Sequence, residues 1–520
     1  MRILMLAAEN GALPGGKAGG LGDVLRDVPL ELAALGHCVD VLTPGYQHFS
    51  RLPGAQCVAQ VDGSLRGRHV RAGLYRLPDP VQADVRYWAL EHSGFAPEGA
   101  GRIYCADPPQ RPFATDANKF ALFSMLAAQC ILNGSLGRFD VIHLHDWHAA
   151  LVAVLAHFHP DYVGLRGQHL VYSIHNLSLQ GIRPLDHDDS SLRQWFPELQ
   201  PDLGQIGDPR YPDCFNPMRA AINLCQRVHA VSPTYAREIL RPSDPQHGFV
   251  GGEGLELDLQ RAAAEGRLVG ILNGCEYPDP PAAPLAFAAL LQDARSTVLD
   301  WLGEHPSAAD SNRQALNWLE RRLAAGAQRP KWLLTSVGRC TEQKLRVLLQ
   351  PLGDGRACLQ HLLDLLGEQG ALLLIGSGDS HYESQLAEIA RQRENLLFLR
   401  GYSESLASDL YASGDLFLMP SSYEPCGISQ MLAMRGGQPC LVHAVGGLLD
   451  TVEDDENGFL FHGDSPQGQA EALLARLQEV MQLRSRRPAR WRKICANAAA
   501  ARFSWPASAQ RYLEQLYTGD

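Results

Sequence analysis

Lys17-Ala18-Gly19-Gly20-Leu21-Gly22-Asp23-Val24 follows the apolar run Ile3 to Ala8 and combines a cation, three glycines and a carboxylate. The run reads as a short buried strand. The glycines let backbone N–H groups approach a ligand, and the next helix adds its positive end. The expected ligand is therefore an anion, most simply a phosphate ester. Two generic phosphate motifs fail here. Gly11 to Ala18 keeps the spacing of a P-loop but places Ala18 where the magnesium-ligating Ser/Thr belongs. A dinucleotide fingerprint would need a third glycine at Leu25. A glycine-rich turn without a ligand is the alternative.

Four further clusters could do chemistry. His143-Leu144-His145-Asp146-Trp147-His148 ends a predicted strand; its residue types admit a metal site, a sugar site or a self-satisfied core network. Ser173-Ile174-His175-Asn176 repeats the pattern at the next strand end, where a lone His is more often structural. Arg339 and Lys344 put two cations five residues apart at a helix start, able to neutralise a diphosphate, with a solvated basic pair as the alternative. Pro420-Ser421-Ser422-Tyr423-Glu424-Pro425-Cys426-Gly427-Ile428-Ser429-Gln430 sets a carboxylate before a helix. Its amides suit phosphate, while Glu424 can accept from sugar hydroxyls.

Parallel strands are needed to position these loops, and the apolar pattern supplies them. Val39 to Leu42, Val141 to Leu144, Leu170 to Ile174, Val228 to Val231 and Leu268 to Leu272 alternate with helical stretches. A turn-rich break at Tyr277-Pro278-Asp279-Pro280-Pro281 is followed by helices over 282–328 with breaks near Pro306 and Gly326. Strands resume at Trp332 to Val337, Leu372 to Ile375, Leu396 to Leu399, Leu416 to Met419 and Cys440 to His443. A chain of 520 residues exceeds one ordinary core, so two large α/β domains fit.

Composition narrows the partners. Forty-six basic against fifty-seven acidic residues give a formal charge of −11, which argues against nucleic acid or anionic membrane. The twelve cysteines form no C-x-x-C pair, so reduced thiols in a cytoplasm are the simplest reading. No run approaches the ~18 apolar residues of a membrane span.

The opening loop, together with Leu35-Gly36-His37-Cys38-Val39-Asp40-Val41-Leu42-Thr43-Pro44-Gly45-Tyr46, resembles the amino-terminal signature of bacterial glycogen synthases and plant starch synthases. The His-Asp-Trp-His run, Ile174-His175-Asn176, Arg339 to Lys344, Gly401-Tyr402-Ser403-Glu404, Glu424-Pro425-Cys426-Gly427 and Gly446-Gly447 match further motifs of that family. The resemblance implies a GT-B fold: two Rossmann-like, doubly wound parallel-sheet domains facing a deep cleft, with a C-terminal helix crossing back. On this reading the domains are 1–275 for the acceptor glucan, a helical interdomain segment 276–330, 331–490 for the donor, and returning helices 491–520.

The resemblance also implies roles. Catalytic residues are His175, Glu424, Arg339, Lys344 and Asp146. Donor-binding residues are Lys17, Gly19, Gly20, Arg339, Lys344, Tyr402, Cys426, Gly427, Ser429 and Gly447. The implied reaction transfers glucose from ADP-glucose to the non-reducing end of glycogen or another α-1,4-glucan with retention, and needs neither metal nor cofactor. Same-face attack with the leaving phosphate as base is the expected route, and Glu424 is the fallback nucleophile. Arg26, Ala220-Ala221, Cys275-Glu276, Leu345 and Val445 depart from the family pattern. The alternatives are a related transferase using UDP-glucose or another acceptor, a non-catalytic glucan-binding paralogue and, least supported, a nucleotide hydrolase.

Overall fold

The computed structural model describes residues 1–79, 84–278, 283–304 and 309–518. The expected break at Pro306 and residues 279–281 of the turn-rich segment lie outside them. The chain divides into two compact units: Met1–Ser243, Gly251–Gly274 and Trp505–Asp520 form the first, and Asp244–Val250 and Cys275–Ser504 the second.

The first unit carries β1 (Arg2–Leu6), β2 (Cys38–Pro44), β3 (Gln56–Leu65), β4 (Arg68–Arg76), β5 (Val85–Glu91), β6 (Val141–His145), β7 (His169–Ile174), β8 (Arg183–Pro184), β9 (Cys214–Phe215), β10 (Arg227–Ala230) and β11 (Leu268–Gly270). Nine of these make one sheet in the order β11-β10-β7-β6-β1-β2-β5-β4-β3; β8 and β9 pair separately. Ile3, Leu4, Met5 and Leu6 are fully buried, because β1 lies mid-sheet between β2 and β6. The strand order turns around at β1, so the carboxyl ends of β1 and β6 form the crevice in which open α/β sheets bind ligands. The sheet is not wholly parallel, as the βα alternation had suggested: β3 and β4 pair antiparallel at its edge. Arg66 and Gly67, both with positive φ, make the tight turn that this hairpin needs.

The second unit carries β12 (Trp332–Val337), β13 (Gly370–Gly376), β14 (Leu396–Arg400), β15 (Leu416–Met419), β16 (Cys440–His443) and β17 (Phe459–Phe461) in the order β14-β13-β12-β15-β16-β17, every pair parallel. Its turning point lies between β12 and β15. Among the described residues no helix is long and apolar enough to cross a membrane, and all twelve cysteines are free.

Two boundaries differ from expectation. The helices Phe287–Glu304 and Ala309–Ala324 do not form a separate interdomain segment. Their apolar faces, with Leu290, Leu291, Val298, Trp301, Trp318 and Leu319, join Leu333, Leu373 and Leu397 in the core of the second sheet. Amphipathic periodicity shows that such helices need a partner but not which sheet provides it. The return to the first unit begins at Trp505 rather than residue 491, because Trp491 and Ile494 pack beneath β12 and β13. The helix Trp505–Tyr512 continues through Leu513–Tyr517 and packs on the helix Gly20–Ala34 and on β10.

Leu291→Ala and Leu319→Ala each empty a fully buried site. Each should destabilise the second unit by about 2–5 kcal/mol, the range for truncating a core leucine, read from urea unfolding. Changes within about 0.5 kcal/mol, as at surface positions, would show these helices to be peripheral.

Candidate functional site

In the first unit the residues after β1 turn back on themselves. The Glu9 carboxylate is buried and accepts from the backbone N–H groups of Ala18 (2.8 Å), Gly19 (2.7 Å) and Gly22 (3.2 Å), and from the Tyr104 hydroxyl (2.8 Å). The expected anion cradle is therefore built, but its anion is internal. Glu9 occupies the start of the helix Gly20–Ala34, where unpaired amides favour negative charge. This corrects the assignment of the Gly19 amide to a bound phosphate. A Cβ on Gly22 would lie 2.9 Å from Lys17 Cγ and 3.1 Å from Glu9 Oε2, so a side chain there would press on both. Gly20 faces open space. Lys17 Nζ is paired with Asp23 at 2.6 Å.

The ends of β6 and β7 meet beside this loop's strand. Asp146 is buried with φ +53°, an unusual backbone conformation for a non-glycine residue, and its Oδ1 accepts the His175 N–H at 2.8 Å. Burial pushes its carboxyl up to about 7, against backbone hydrogen bonds from His175 and Asn176 that pull the other way. His145 Nδ1 and His175 Nε2 lie 3.0 Å apart, and the His145 ring stacks on His143 at 4.2 Å. Desolvation lowers the imidazoles of His143, His145, His148, His175 and His229, those of His148 and His175 to about 3 and that of His229 to about 4. All five are neutral at pH 7.

The His/Asp run separates into different tasks. His148 is enclosed by Phe120, Trp147 and Tyr104, with ring centroids 4.6, 4.5 and 5.4 Å away. Its ligand atoms do not converge as a metal set would. Among the described residues, the group of three or more candidate ligands within 4.8 Å of one another is His159, Asp161 and Glu198, away from this run.

In the second unit, Arg339 follows β12, is exposed, and makes no ion pair among the described residues. Lys344 lies on the helix Glu342–Leu349 and forms an ion pair with Glu424, whose side chain is almost wholly buried. Gln343 ties the two segments together: its carbonyl accepts the Ser422 N–H at 2.8 Å, and its side chain donates to the Tyr423 carbonyl at 3.1 Å. The Gly447 N–H donates to the Glu424 carbonyl at 3.0 Å. A Cβ on Gly447 would fall 2.1 Å from the Cys426 carbonyl oxygen, which is why the 446–447 turn needs glycine. Gln430 Nε2 donates to the Gly427 carbonyl at 2.9 Å, and the Tyr411 hydroxyl to Ser429 Oγ at 3.0 Å.

Arg339, Lys344, Glu424, Cys426, Gly427, Ser429 and Gly447 thus gather past the carboxyl ends of β12, β15 and β16. Tyr402 follows β14 and is 57% exposed, so it is not part of the core. One expected separation fails: Lys344 and Glu424, assigned to phosphate and sugar, are each other's partners. Val445 precedes the helix Gly446–Thr451 without a side-chain cap. Leu345 packs into the core of the second sheet, which accounts for its departure from the family's glycine. Sequence reasoning missed Glu9 and Tyr104. Glu9 carried a signal, an acid directly after a buried strand and ahead of a helix start lacking a capping side chain; Tyr104 carried none.

Residues 2–261 match the family model described as the starch synthase catalytic domain, and residues 327–495 that of glycosyl transferases group 1. The chain is 33% identical to a glycogen synthase of Anaeromyxobacter sp. over 531 residues, covering 99% of each chain. It is 32% identical to one of Gloeobacter violaceus over 523 residues, covering 99% of this chain and 98% of the relative. The solved catalytic domain of starch synthase IV from Arabidopsis thaliana, bound to ADP and acarbose, is similar at a TM-score of 0.74 and 26% identity, covering 99% of this chain and 98% of that one.

The buried imidazoles set a pH dependence. An unfolded chain takes up protons on histidine below about pH 6.5, whereas the native state holds these rings uncharged, so their contribution to stability is lost as pH falls. Asp146 works the other way, since its native carboxyl stays protonated up to about 7; five rings outweigh one acid. His148→Phe removes a ring whose Nδ1 has no hydrogen-bond partner among the described residues. The variant should match the parent at pH 7.5 and lose stability less steeply below pH 6, by about 1.4 kcal/mol per pH unit. Denaturant titrations at pH 7.5, 6 and 5 measure this, and parallel pH profiles would refute it.

Proposed function

This chain belongs to the family of bacterial glycogen synthases and plant starch synthases, and on that premise we propose how its residues divide the work of the reaction. It is a GT-B glucosyltransferase acting from ADP-glucose on an α-1,4-glucan. The observation that carries the residue assignment is the Lys344–Glu424 ion pair beside the exposed Arg339 at the turning point of the second sheet.

Breaking the bond between C1 of glucose and the diphosphate leaves ADP with added negative charge. Arg339 and Lys344 are the side chains assigned to stabilise it, so the proposal needs no metal ion. Glu424 orients Lys344 and, when Lys344 turns to the diphosphate, accepts from the sugar hydroxyls. Tyr402 borders the base. Cys426, Gly427, Ser429 and Gly447 shape the backbone around the donor, while Lys17 and Gly20 offer a cation and an unobstructed backbone to its anionic part.

His175 and Asp146 act on the sugar. A neutral imidazole can hydrogen-bond a hydroxyl without opposing the positive charge that grows on the ring as the leaving group departs. The acceptor's terminal 4-hydroxyl then attacks C1 from the face the diphosphate leaves. Its proton passes to a phosphate oxygen, the C1–O bond to ADP breaks, and the new glucosidic bond keeps the α configuration. Pairing of Glu424 with Lys344 favours this route over a covalent glucosyl intermediate on Glu424. The free thiols support a reducing cytoplasm as the site of action.

With glycogen as acceptor, ADP-glucose should be incorporated at least ten-fold faster than UDP-glucose, measured as kcat/KM; parity would overturn the donor assignment. Lys344→Ala should lower kcat by about 10²–10³, the cost of losing one preorganised charge-stabilising donor, with glycogen binding unchanged. Lys344→Ala/Glu424→Gln, which leaves no unpaired buried charge, should be equally slow. Recovered turnover in that double variant would move Lys344 out of the chemistry.

A further inference from the structure

A row of polar side chains crosses the first sheet behind His175. The β6–β7 register places His145 opposite Ser173, and the β7–β10 register places Ser173 opposite His229. His143, two residues before His145, shares its face. The helix Trp505–Tyr512 and its continuation Leu513–Tyr517 reach this face: the Tyr517 hydroxyl lies 2.8 Å from His143 Nδ1, and Tyr512 rests on His229 at 4.9 Å between ring centroids.

The hydrogen bonds in this row run in one direction. His229 Nε2 lies 3.2 Å from the Ile271 carbonyl, which can only accept, so Nε2 carries the proton and Nδ1 of the neutral ring is an acceptor. The Ser173 hydroxyl, 2.7 Å away, therefore donates to His229 Nδ1 and accepts from His143 Nε2–H at 2.6 Å. His143 Nδ1 is left as an acceptor, and the Tyr517 hydroxyl donates to it. A backbone carbonyl on one side of the sheet and the tail's tyrosine on the other thus fix every proton between them.

His145 extends this order to His175. Its Nε2 is buried without a hydrogen-bond partner among the described residues. An orphaned lone pair costs less there than an orphaned N–H, so the proton sits on Nδ1 and is donated to His175 Nε2 at 3.0 Å. Neutral His175 then carries its own proton on Nδ1. Because the far nitrogen of His145 has no bond, its ring plane depends on the stack against His143, 4.2 Å away and 25° from parallel.

We propose that Tyr517 is a positioning residue for the transfer reaction: through His143 and the stacked His145 it holds His175 in the Nδ1–H tautomer, presenting an N–H donor to a sugar hydroxyl. Lowered imidazole basicity along the row agrees with rings that stay neutral throughout. The proposal rests on the assignment of His175 to the sugar, and its test separates the two.

The test uses full-length enzyme with ¹⁵N-labelled histidine, the His175 signals being identified by their loss in His175→Ala. Parent enzyme should show the Nδ1–H pattern at His175. Tyr517→Phe removes only the hydroxyl and Ser173→Ala breaks the same chain elsewhere; both should give mixed His175 tautomers. Tyr517→Phe should lower kcat three- to ten-fold, with KM for ADP-glucose and for glycogen unchanged within two-fold. Tyr512→Phe, which alters tail packing at a hydroxyl 3.5 Å from the already occupied His229 Nδ1, should keep the parent tautomer and kcat. An Nε2–H signal in the parent, or an unchanged His175 pattern in both chain-breaking variants, would overturn the proposal. If His175→Ala turns over normally, the catalytic assignment of His175 falls and the kinetic role of Tyr517 falls with it. The tautomer spectra would still decide the proton order.

Discussion

A parallel strand buried on both faces has no solvent to give its polar groups to, and this constraint shapes both units. β1 meets it by being wholly apolar from Ile3 to Leu6 and delivering its first acid, Glu9, just past the carboxyl end. β15 does the same, with Glu424 following its last apolar residue by a few positions, and β12, which also carries Thr335 and Ser336, is followed as closely by Arg339. Functional side chains collect at one edge of each sheet because that is where a covered strand first regains polar surroundings. β6, β7 and β10 depart furthest from this pattern, carrying His143, His145, Ser173 and His229 inside the sheet. They remain buried only because the register sets them beside one another and the tail supplies a hydroxyl.

The same rule explains why the buried charged groups of the site are already paired, while Arg339, which is exposed, needs no partner. An isolated carboxylate or ammonium in a covered crevice would cost several kcal/mol, roughly the penalty for leaving a buried ion uncompensated. Glu9 answers it by accepting three backbone N–H groups and a tyrosine hydroxyl; Lys344 and Glu424 answer it with each other. Binding to such a site exchanges partners rather than filling an empty charge. On the proposed assignment, the diphosphate has to offer Lys344 more than Glu424 does, and sugar hydroxyls have to replace what Glu424 loses. A ligand supplying only one of these halves would then leave a buried charge unmatched, so the proposed roles call for a molecule that carries phosphate and sugar together.

Much of this was legible in the chain. Apolar runs such as Trp332 to Val337, Leu416 to Met419 and Cys440 to His443 coincide with strands because a covered parallel strand has little sequence freedom. The clusters at Lys17, His143 and Arg339 stood out because strand ends are marked by abrupt changes from apolar to polar or glycine, whereas the roles given to residues from Lys17 to Gly447 came from the resemblance to the family's motifs. Pairing partners could not. Glu9 meeting the Gly19 amide, Lys344 meeting Glu424 and Tyr517 meeting His143 join residues that are 10, 80 and 374 positions apart. Nothing in local periodicity encodes such contacts. The helices over 282–328 show the same limit: their amphipathic faces were plain, but only three-dimensional packing reveals that they cover the second sheet.

The two units also differ in the kind of polarity they place at their edges, and the difference follows the charge changes of glucosyl transfer. Around His175 the polar groups are neutral imidazoles, a serine and tyrosines, with Asp146 itself pushed toward its uncharged form. Around Arg339 and Lys344 they are charged, the two cations with the Glu424 carboxylate. Heterolysis at C1 creates positive charge on the sugar and negative charge on the diphosphate. A fixed cation would oppose the first and aid the second, whereas a neutral donor in a water-poor setting can hold hydroxyls without doing either. For imidazoles to serve as neutral donors their proton positions must be fixed, since a histidine that changes tautomer exchanges donor for acceptor at the same atom. A buried row anchored on the Ile271 carbonyl fixes the protons of His229 and His143 by geometry, so on the proposed role of His175 the dryness of the sheet is a condition of the chemistry at its edge.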